Sequence, residues 1–382
     1  MSITHEVTYR RYDLGLAVAC FVMLPCLVGA ADIGSWIPGE NMSQPRAGHT
    51  ATLLNDGRVL VAGGDVRYYF SETPGVEICD PEISTWTSTG SLATRRSGHT
   101  ATLLNDGRVL VAGGLRYRPD TCSILNSAEV YDPKTGAWSE TGSLNWARTA
   151  HRAVLLDDGR VLVVGGFGGL CGGAFDHAEL YDPKTGTWTV ARPMNVGRRN
   201  FTATSLRDGR VLVAGGMARA ADGYADTFSA EVYDPGSGSW SIIASMNKAR
   251  SFHTAILLTN GRVLVAGSAH TTVEIYDPAR DSWRVTGESN IARTGAESAL
   301  LRNGRVLFTA GFRNGQRGIR LAVDSAELYD PDSESWDLTA GMNVPRAGHT
   351  VTLLSDGRVL VIGGRSREGD LPSPTTEFYG KQ

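Results

Sequence analysis

The sequence predicts an all-β fold of the β-propeller class, and two observations carry that prediction. The phrase Asp/Asn-Gly-Arg-Val-Leu recurs at intervals of about fifty residues. Its seven copies start at Asp56, Asp106, Asp158, Asp208, Asn260, Asn303 and Asp356. Between the copies lie short stretches of β-branched and apolar residues separated by Gly, Pro, Asn and Asp, a pattern typical of strands and turns. One unit of this kind is a four-stranded blade that cannot bury its faces alone, so we expect seven blades in one domain.

The second unit shows the expected elements of a blade in order. An Asn-Asp-Gly turn at 105–107 supplies the positive φ that a tight hairpin needs. A Tyr-Asp-Pro-Lys-Thr-Gly sequence at 131–136 supplies another turn. The residues that flank these turns are β-branched or apolar, as strands require. We predict strands at 99–104, 108–112 and 128–131, and a fourth strand that begins at Trp138.

A Trp marks the fourth strand of every unit except the last. The six are Trp86, Trp138, Trp188, Trp240, Trp283 and Trp336. The last unit has no Trp after Glu377, whereas Trp36 precedes the first unit and has no unit of its own. We therefore expect the segment around Trp36 to pair beside the segment around Glu377 and to seal the ring, so that no long edge stays open.

A diglycine follows the second strand in five units, ahead of the spaced Tyr and Trp. The pairs are Gly63-Gly64, Gly113-Gly114, Gly165-Gly166, Gly215-Gly216 and Gly363-Gly364. This ordered pattern, over residues 32–382, resembles the kelch repeat. Unit five departs with Gly267-Ser268 and unit six with Ala310-Gly311, which indicates altered local geometry rather than a lost blade.

The kelch resemblance implies the architecture and leaves the function open, because kelch propellers include both enzymes and interaction modules. Galactose oxidase and its relatives are similar and hold copper with Tyr and His, including a cross-linked Tyr–Cys pair. This chain has no Tyr-His dipeptide, and His177 and His270 are isolated. The bacterial sialic-acid mutarotases also resemble this plan, but none of their catalytic residues transfers to a position here. We therefore predict no catalytic residue, no metal site and no cofactor.

The amino terminus has the three parts of a secretory signal. Arg10 and Arg11 precede an apolar run at 14–28, and small residues follow at 29–31. A retained membrane helix is the alternative, which Pro25 and the short run disfavour. We expect residues 1–31 to be the signal or an N-terminal hydrophobic segment. Residues 32–382 then form the propeller, secreted or periplasmic.

Charge excludes some classes of partner. The net charge is -3, and no basic tail or run interrupts the repeats, so we expect no nucleic-acid partner. We also expect a monomer whose mature domain does not insert into membranes.

Three cysteines remain beyond the amino-terminal segment. Cys79 occupies a slot that other units fill with Tyr, so we expect it to pack as a small apolar group. Cys122 and Cys171 lie in corresponding loops of successive units, so we predict that they form a disulfide, with two free thiols as the alternative.

Two sets of Arg differ in their regularity. The first set recurs in every unit, at Arg46, Arg96, Arg148, Arg198, Arg250, Arg293 and Arg346. Each unit also carries a Glu in its third strand, at Glu77, Glu129, Glu179, Glu231, Glu274, Glu327 and Glu377. A feature present in every blade belongs to the scaffold, so we expect one Arg–Glu pair to brace each blade. A His also recurs in five units, but these slots stand too far apart around the ring to share one metal ion.

The second Arg set is irregular and follows the diglycine, in loops that share one end of the blades. Variable loops on a rigid scaffold are where binding usually resides. Arg suits carboxylate and sulfate groups, and Tyr can stack on sugars. We predict a ligand site at Arg67, Arg116, Tyr117, Arg118, Arg219, Tyr224, Arg313 and Arg365. Acidic residues in the same loops leave open an alternative, in which they neutralise these Arg and the face is solvated without a ligand.

The leading hypothesis is a non-catalytic binding module for a protein or an anionic glycan. The alternatives are a carbohydrate-active enzyme, of the oxidase or the sugar epimerase or mutarotase type, and a structural component of the cell envelope.

Overall fold

A computed structural model of the chain describes residues 34–67, 71–118, 121–168, 173–315 and 319–380. The chain divides into two units, residues 1–33 and residues 34–382, and every described residue belongs to the second. Secondary structure there is strands and turns. In these residues no helix has the length and apolar character needed to cross a membrane.

Twenty-eight of the described strands form seven four-stranded antiparallel sheets. Their first strands are Thr50–Leu53 (β2), Thr100–Leu103 (β8), Arg152–Leu155 (β14), Thr202–Ser205 (β19), Thr254–Leu257 (β25), Glu297–Leu300 (β29) and Thr350–Leu353 (β35). The second strands are Val59–Ala62 (β3), Val109–Ala112 (β9), Val161–Val164 (β15), Val211–Ala214 (β20), Val263–Ala266 (β26), Val306–Thr309 (β30) and Val359–Ile362 (β36). The third strands are Val76–Asp80 (β6), Ala128–Asp132 (β12), Ala178–Asp182 (β16), Ala230–Asp234 (β23), Thr272–Asp277 (β27), Ala326–Asp330 (β33) and Thr376–Gly380 (β37). The fourth strands are Thr85–Ser88 (β7), Ala137–Glu140 (β13), Thr187–Ala191 (β17), Ser239–Ile242 (β24), Ser282–Glu288 (β28), Ser335–Leu338 (β34) and Ser35–Pro38 (β1).

Nine shorter strands follow the diglycine slots or pair beside them. They are Asp65–Arg67 (β4), Ser71–Glu72 (β5), Leu115–Arg118 (β10), Thr121–Ile124 (β11), Arg198–Arg199 (β18), Met217–Ala220 (β21), Gly223–Asp226 (β22), Phe312–Asn314 (β31) and Arg320–Ala322 (β32). We call the end of the sheets that carries these hairpins the loop face. The opposite end carries the Asp-Gly-Arg turns, and we call it the turn face.

The hydrophobic core lies between successive sheets. The second strand of each sheet is buried at all four positions, so both of its faces need cover from a neighbour. One cluster shows how this works, because Leu60 and Ile78 of the first sheet pack with Val109, Val111 and Tyr131 of the second. Single sheets therefore could not fold alone, which is the physical reason for the repetition.

The sheets of units five and six are complete despite their altered diglycines. Ser268 takes the second glycine position with φ 137°, and Ala310 takes the first with φ 52°. Both values lie in the region that glycine prefers, so each substitution keeps the turn and bears the strain. The expectation that no sheet is lost is confirmed, and the altered geometry is seen at Ser268, since the second glycines of the five regular pairs have φ of 87–99°.

Cys79 is 1% exposed, and burial raises its pKa to about 12. Such a thiol stays protonated and packs as an apolar group, as the sequence predicts. The side chain of Cys122 and all of Cys171 lie outside the described residues, so their disulfide stays a prediction.

Candidate functional site

The regular Arg set is built into the sheets. Arg148 is fully buried and donates from Nη2 to Oε1 of Glu179 at 2.8 Å, and from Nη1 to the carbonyl oxygens of Gly165 and His177 at 3.2 and 3.0 Å. Glu179 in turn accepts from the backbone N–H of Asn145 at 2.7 Å. The six other blades repeat the Arg–Glu pair. Each of these guanidinium groups is buried and paired with the Glu of its own sheet, which confirms the predicted bracing pair.

The recurring His side chains link neighbouring blades. Nε2 of His99 lies 3.0 Å from Oγ1 of Thr50 in the preceding blade. Burial lowers the pKa of His99 to about 3, so the ring is neutral at neutral pH. The others in this slot are His49, His151, His253 and His349. Each ring is hydrogen-bonded to a Thr hydroxyl of a neighbouring sheet, so these His side chains have a structural role.

Some residues of the irregular Arg and Tyr set on the loop face contact carboxylates of the same face. Nη2 of Arg365 donates to Oδ2 of Asp65 at 2.8 Å, and Arg365 is 9% exposed. Arg365 therefore links the last sheet to the first. The backbone N–H of Tyr117 donates to Oε1 of Glu72 at 2.6 Å. Burial raises the pKa of Glu72, and the charge of half-buried Arg116 opposes that rise.

The structure describes the four other predicted Arg residues to different extents. Arg313 is exposed on β31. The side chains of Arg67 and Arg118 lie outside the described residues. Arg219 is exposed and is treated next together with Tyr224, because the structure brings those two into one hairpin.

Arg219 and Tyr224 face each other across the hairpin of β21 and β22. Their Cα atoms are directly paired, so both side chains project from the same face of the hairpin. Both are exposed, and within the described residues the Arg219 guanidinium has no ion pair. The hairpin also pairs with β18, so it is held as part of a three-stranded sheet. Two of the predicted ligand residues are thus presented together on a supported element.

The structure adds Arg199 to this pair. Its guanidinium carbon lies 4.7 Å from the centre of the Tyr224 ring and 4.9 Å from the centre of the Phe167 ring. A guanidinium between two aromatic rings is stabilised by both π faces while its N–H groups point outward in its own plane. Nε of Arg199 is buried and has no hydrogen-bond partner among the residues described. We call Phe167, Arg199, Arg219 and Tyr224 the hairpin platform.

A signal for Arg199 is present in the sequence. The residue after the scaffold Arg is small in the six other units, where it is Ala47, Ser97, Thr149, Ser251, Thr294 or Ala347. Only the fourth unit has a second Arg there. Because Arg199 replaces a small residue of the repeat beside the loop face, the sequence alone could have indicated it as a candidate site residue.

Comparisons with known proteins fit this architecture. The family model of the KLHDC2/KLHL20/DRC7 Kelch-repeats domain matches residues 36–216, and that of the Kelch motif matches residues 198–247. The chain belongs to the kelch-repeat family. Among solved structures it is similar to a novel fungal alcohol oxidase of the AA5 family in complex with copper. The TM-score is 0.73 at 17% identity, over 91% of this chain and 76% of the oxidase chain. The comparison with curated proteins gave no match.

At 17% identity, the likeness to the oxidase shows the fold alone. A metal site needs several ligands that converge on one point. No three His, Cys, Asp or Glu side chains do so within the described ranges. His177 instead stacks on Trp146 with ring centres 4.3 Å apart, and His270 lies 3.3 Å from the carbonyl oxygen of Ala249.

Proposed function

We propose that this kelch propeller is a secreted or periplasmic binding module, non-catalytic and monomeric, which recognises a protein or an anionic glycan on its loop face. The single observation that carries the proposal is the hairpin platform.

The proposal that the protein is exported rests on the amino-terminal signal pattern. Sequencing the amino terminus of exported protein tests that part, and a mature chain that still begins at Met1 would contradict it.

The platform has the chemistry that an anionic ligand needs. Arg199 is held in place by two rings, so little side-chain entropy is lost when it binds. Arg219 adds a second positive charge from the same face of the hairpin. The exposed Tyr224 offers an apolar surface with a hydroxyl at its end, which suits a sugar ring or a peptide. Carboxylate or sulfate groups would dock on the two guanidinium groups.

Arrays of glycans and acidic peptides probed with the full chain test the platform. We expect Arg219→Ala and Tyr224→Ser each to weaken binding of the selected ligand by about tenfold, the effect of losing one charge-assisted contact or one stacked ring. The matched control is Arg280→Ala, because Arg280 is also exposed but lies on the turn face. If Arg116→Ala or Arg313→Ala weakens binding and the platform variants do not, the platform is not the site.

We further infer that the seven sheets form a closed ring that β1 seals. Three contacts support this inference. Trp36 is paired with Tyr379 across β1 and β37, with ring centres 5.0 Å apart. Nε1 of Trp36 donates to the carbonyl oxygen of Ala340 at 2.7 Å. Strand β35 also contacts β2, and the N–H of Gly48 donates to the carbonyl oxygen of Gly348 at 3.0 Å.

Replacing Trp36 with Ala tests the seal. Trp36 is 8% exposed, so Trp36→Ala should lower the free energy of unfolding by about 3 kcal/mol. Trp138→Ala is the matched control, because Trp138 makes the same contacts, with the Tyr131 ring at 5.1 Å and the carbonyl oxygen of Gly90 at 2.9 Å, but belongs to a sheet built from one continuous stretch of chain. Thermal or urea unfolding that responds to Trp138→Ala and not to Trp36→Ala would contradict a sealing strand.

The alternative function is a carbohydrate-active enzyme, and the likeness to a copper alcohol oxidase is the observation that favours it. Screening the purified chain on sugars and alcohols, with and without added copper or calcium, separates the two functions. Turnover that disappears in Arg219→Ala would make the platform part of an active site. Turnover without any dependence on the platform would place the function elsewhere.

A further inference from the structure

The first residues of the seven first strands form one level around the centre of the propeller. Five of them are Thr, namely Thr50, Thr100, Thr202, Thr254 and Thr350. Each Thr hydroxyl is hydrogen-bonded to a side chain of the next blade. Four of the partners are the recurring His, and the partner of Thr254 is Ser298. The repeat therefore needs only a small hydroxyl at this level.

The third and sixth blades break this rule with charged residues. Arg152 stands in place of Thr at the start of β14, and Glu297 stands in place of Thr at the start of β29. Nε of Arg152 donates to the carbonyl oxygen of Phe201 at 2.8 Å. Among the described residues, the two terminal nitrogens of Arg152 and both carboxylate oxygens of Glu297 have no hydrogen-bond or ion-pair partner.

The two charges act on each other across the centre. Burial raises the pKa of Glu297 to about 7, and the charge of Arg152 opposes that rise. Two blades lie between the two strands in sequence, so in the closed ring proposed above the short path between the side chains is the central channel. Glu297 is also exposed to solvent. A group that is both surrounded by protein and open to water lies on the wall of an internal channel.

The pair is costly for the fold and unnecessary to it. Charged groups within a protein lose hydration, and this loss is repaid only where direct partners satisfy them. Arg152 and Glu297 interact electrostatically but are not in contact. The five other blades have Thr at the same position. A ligand that satisfies both groups would explain why they are held apart.

We propose that the central channel binds a small zwitterion, a free amino acid, between Arg152 and Glu297. The carboxylate of the ligand would accept two N–H bonds from the unused edge of the Arg152 guanidinium, a geometry that suits this pair of groups. Its ammonium group would donate to Glu297. The surrounding Thr hydroxyls are already bonded, so recognition depends on the two charged residues. This site goes beyond the loop-face function and does not depend on it.

The test is a calorimetric screen of the full chain against the standard L-amino acids. The best binder is then compared with its α-hydroxy acid and with the amine that lacks its carboxylate. We expect the amino acid to bind most tightly, the hydroxy acid more weakly, and the amine not at all. Binding of the amine as tight as that of the amino acid would overturn the assignment of Arg152.

Two substitutions that restore the residue of the other blades complete the test. Arg152→Thr should lower the affinity for the amino acid by about tenfold or more. Glu297→Thr should abolish the preference for the amino acid over its hydroxy acid. Arg280→Ala on the turn face is the control. The proposal fails if no amino acid binds the wild-type chain, or if binding survives both Thr substitutions; the array experiment on the hairpin platform is unaffected by either result.

Discussion

The protein is expected to lose stability steeply between about pH 6 and about pH 4, because five buried His side chains must stay neutral in the folded state. Burial, followed by the charge of neighbouring Arg, lowers the pKa of each ring, to about 3 for His99 and His349 and well below the ordinary value for the others. The others are His49, His151 and His253. The unfolded chain binds protons at these rings below about pH 6.5, whereas the folded chain does not.

The sign of the effect follows from proton linkage. Stability rises with pH wherever the unfolded state binds more protons, so it falls as pH drops from about 6.5 toward the folded pKa. Each ring contributes about 1.4 kcal/mol per pH unit once the pH lies well below 6.5. Five rings acting together would exhaust a typical stability of about 5–15 kcal/mol within about two pH units. Glu297, with its pKa raised to about 7, acts in the opposite direction, but it is a single group.

Urea unfolding followed by Trp fluorescence from about pH 7 to about pH 5 measures this dependence. His99→Phe is the informative variant, because the fourth blade has Phe201 in the same slot and still folds. It should reduce the pH slope by about one fifth, since one of five rings is removed. His177→Gln is the control, because that side chain is 38% exposed. A free energy of unfolding that stays level over this range would refute the linkage.

Arg148→Ala is expected to lower the free energy of unfolding by about 3–5 kcal/mol. The substitution leaves Glu179 as a buried charge without its partner and deprives the carbonyl groups of Gly165 and His177 of their donor. Removing one member of a fully buried pair costs far more than the pair itself contributes, because the remaining charge stays dehydrated.

A second Arg of the same blade is the matched control for Arg148. Arg160 pairs with Asp158 on the turn face, where the two side chains are 38% and 44% exposed. Solvent screens such a pair, so Arg160→Ala should cost about 0–1 kcal/mol. Equal losses from Arg148→Ala and Arg160→Ala in denaturant unfolding would contradict the view that burial sets the value of these pairs.

Repetition made the scaffold predictable. The strands predicted at 99–104, 108–112 and 128–131 are observed at Thr100–Leu103, Val109–Ala112 and Ala128–Asp132. These elements depend on local turn chemistry and on strand patterns, which are written in the sequence seven times. The Arg–Glu bracing pair was predictable for the same reason, since both residues recur in every unit.

The loop face was less predictable because its contacts join segments that no repeat relates. Arg365 belongs to the predicted ligand set, yet it pairs with Asp65, which is far away in the chain. The platform joins Phe167 of one blade to Arg199 and Tyr224 of the next, so its geometry depends on how two blades are placed. The sequence therefore showed that the variable loops are charged, but it did not show which of the charged side chains form ion pairs.

The measurement that tests the central claim most directly is the affinity of the Arg199→Met protein for the ligand that the wild-type chain selects on the arrays. Met keeps a long side chain between Phe167 and Tyr224 and removes the charge. The account predicts that affinity falls by about tenfold or more while the free energy of unfolding stays within about 1 kcal/mol of the wild type. Unchanged affinity in a folded Arg199→Met protein would contradict it.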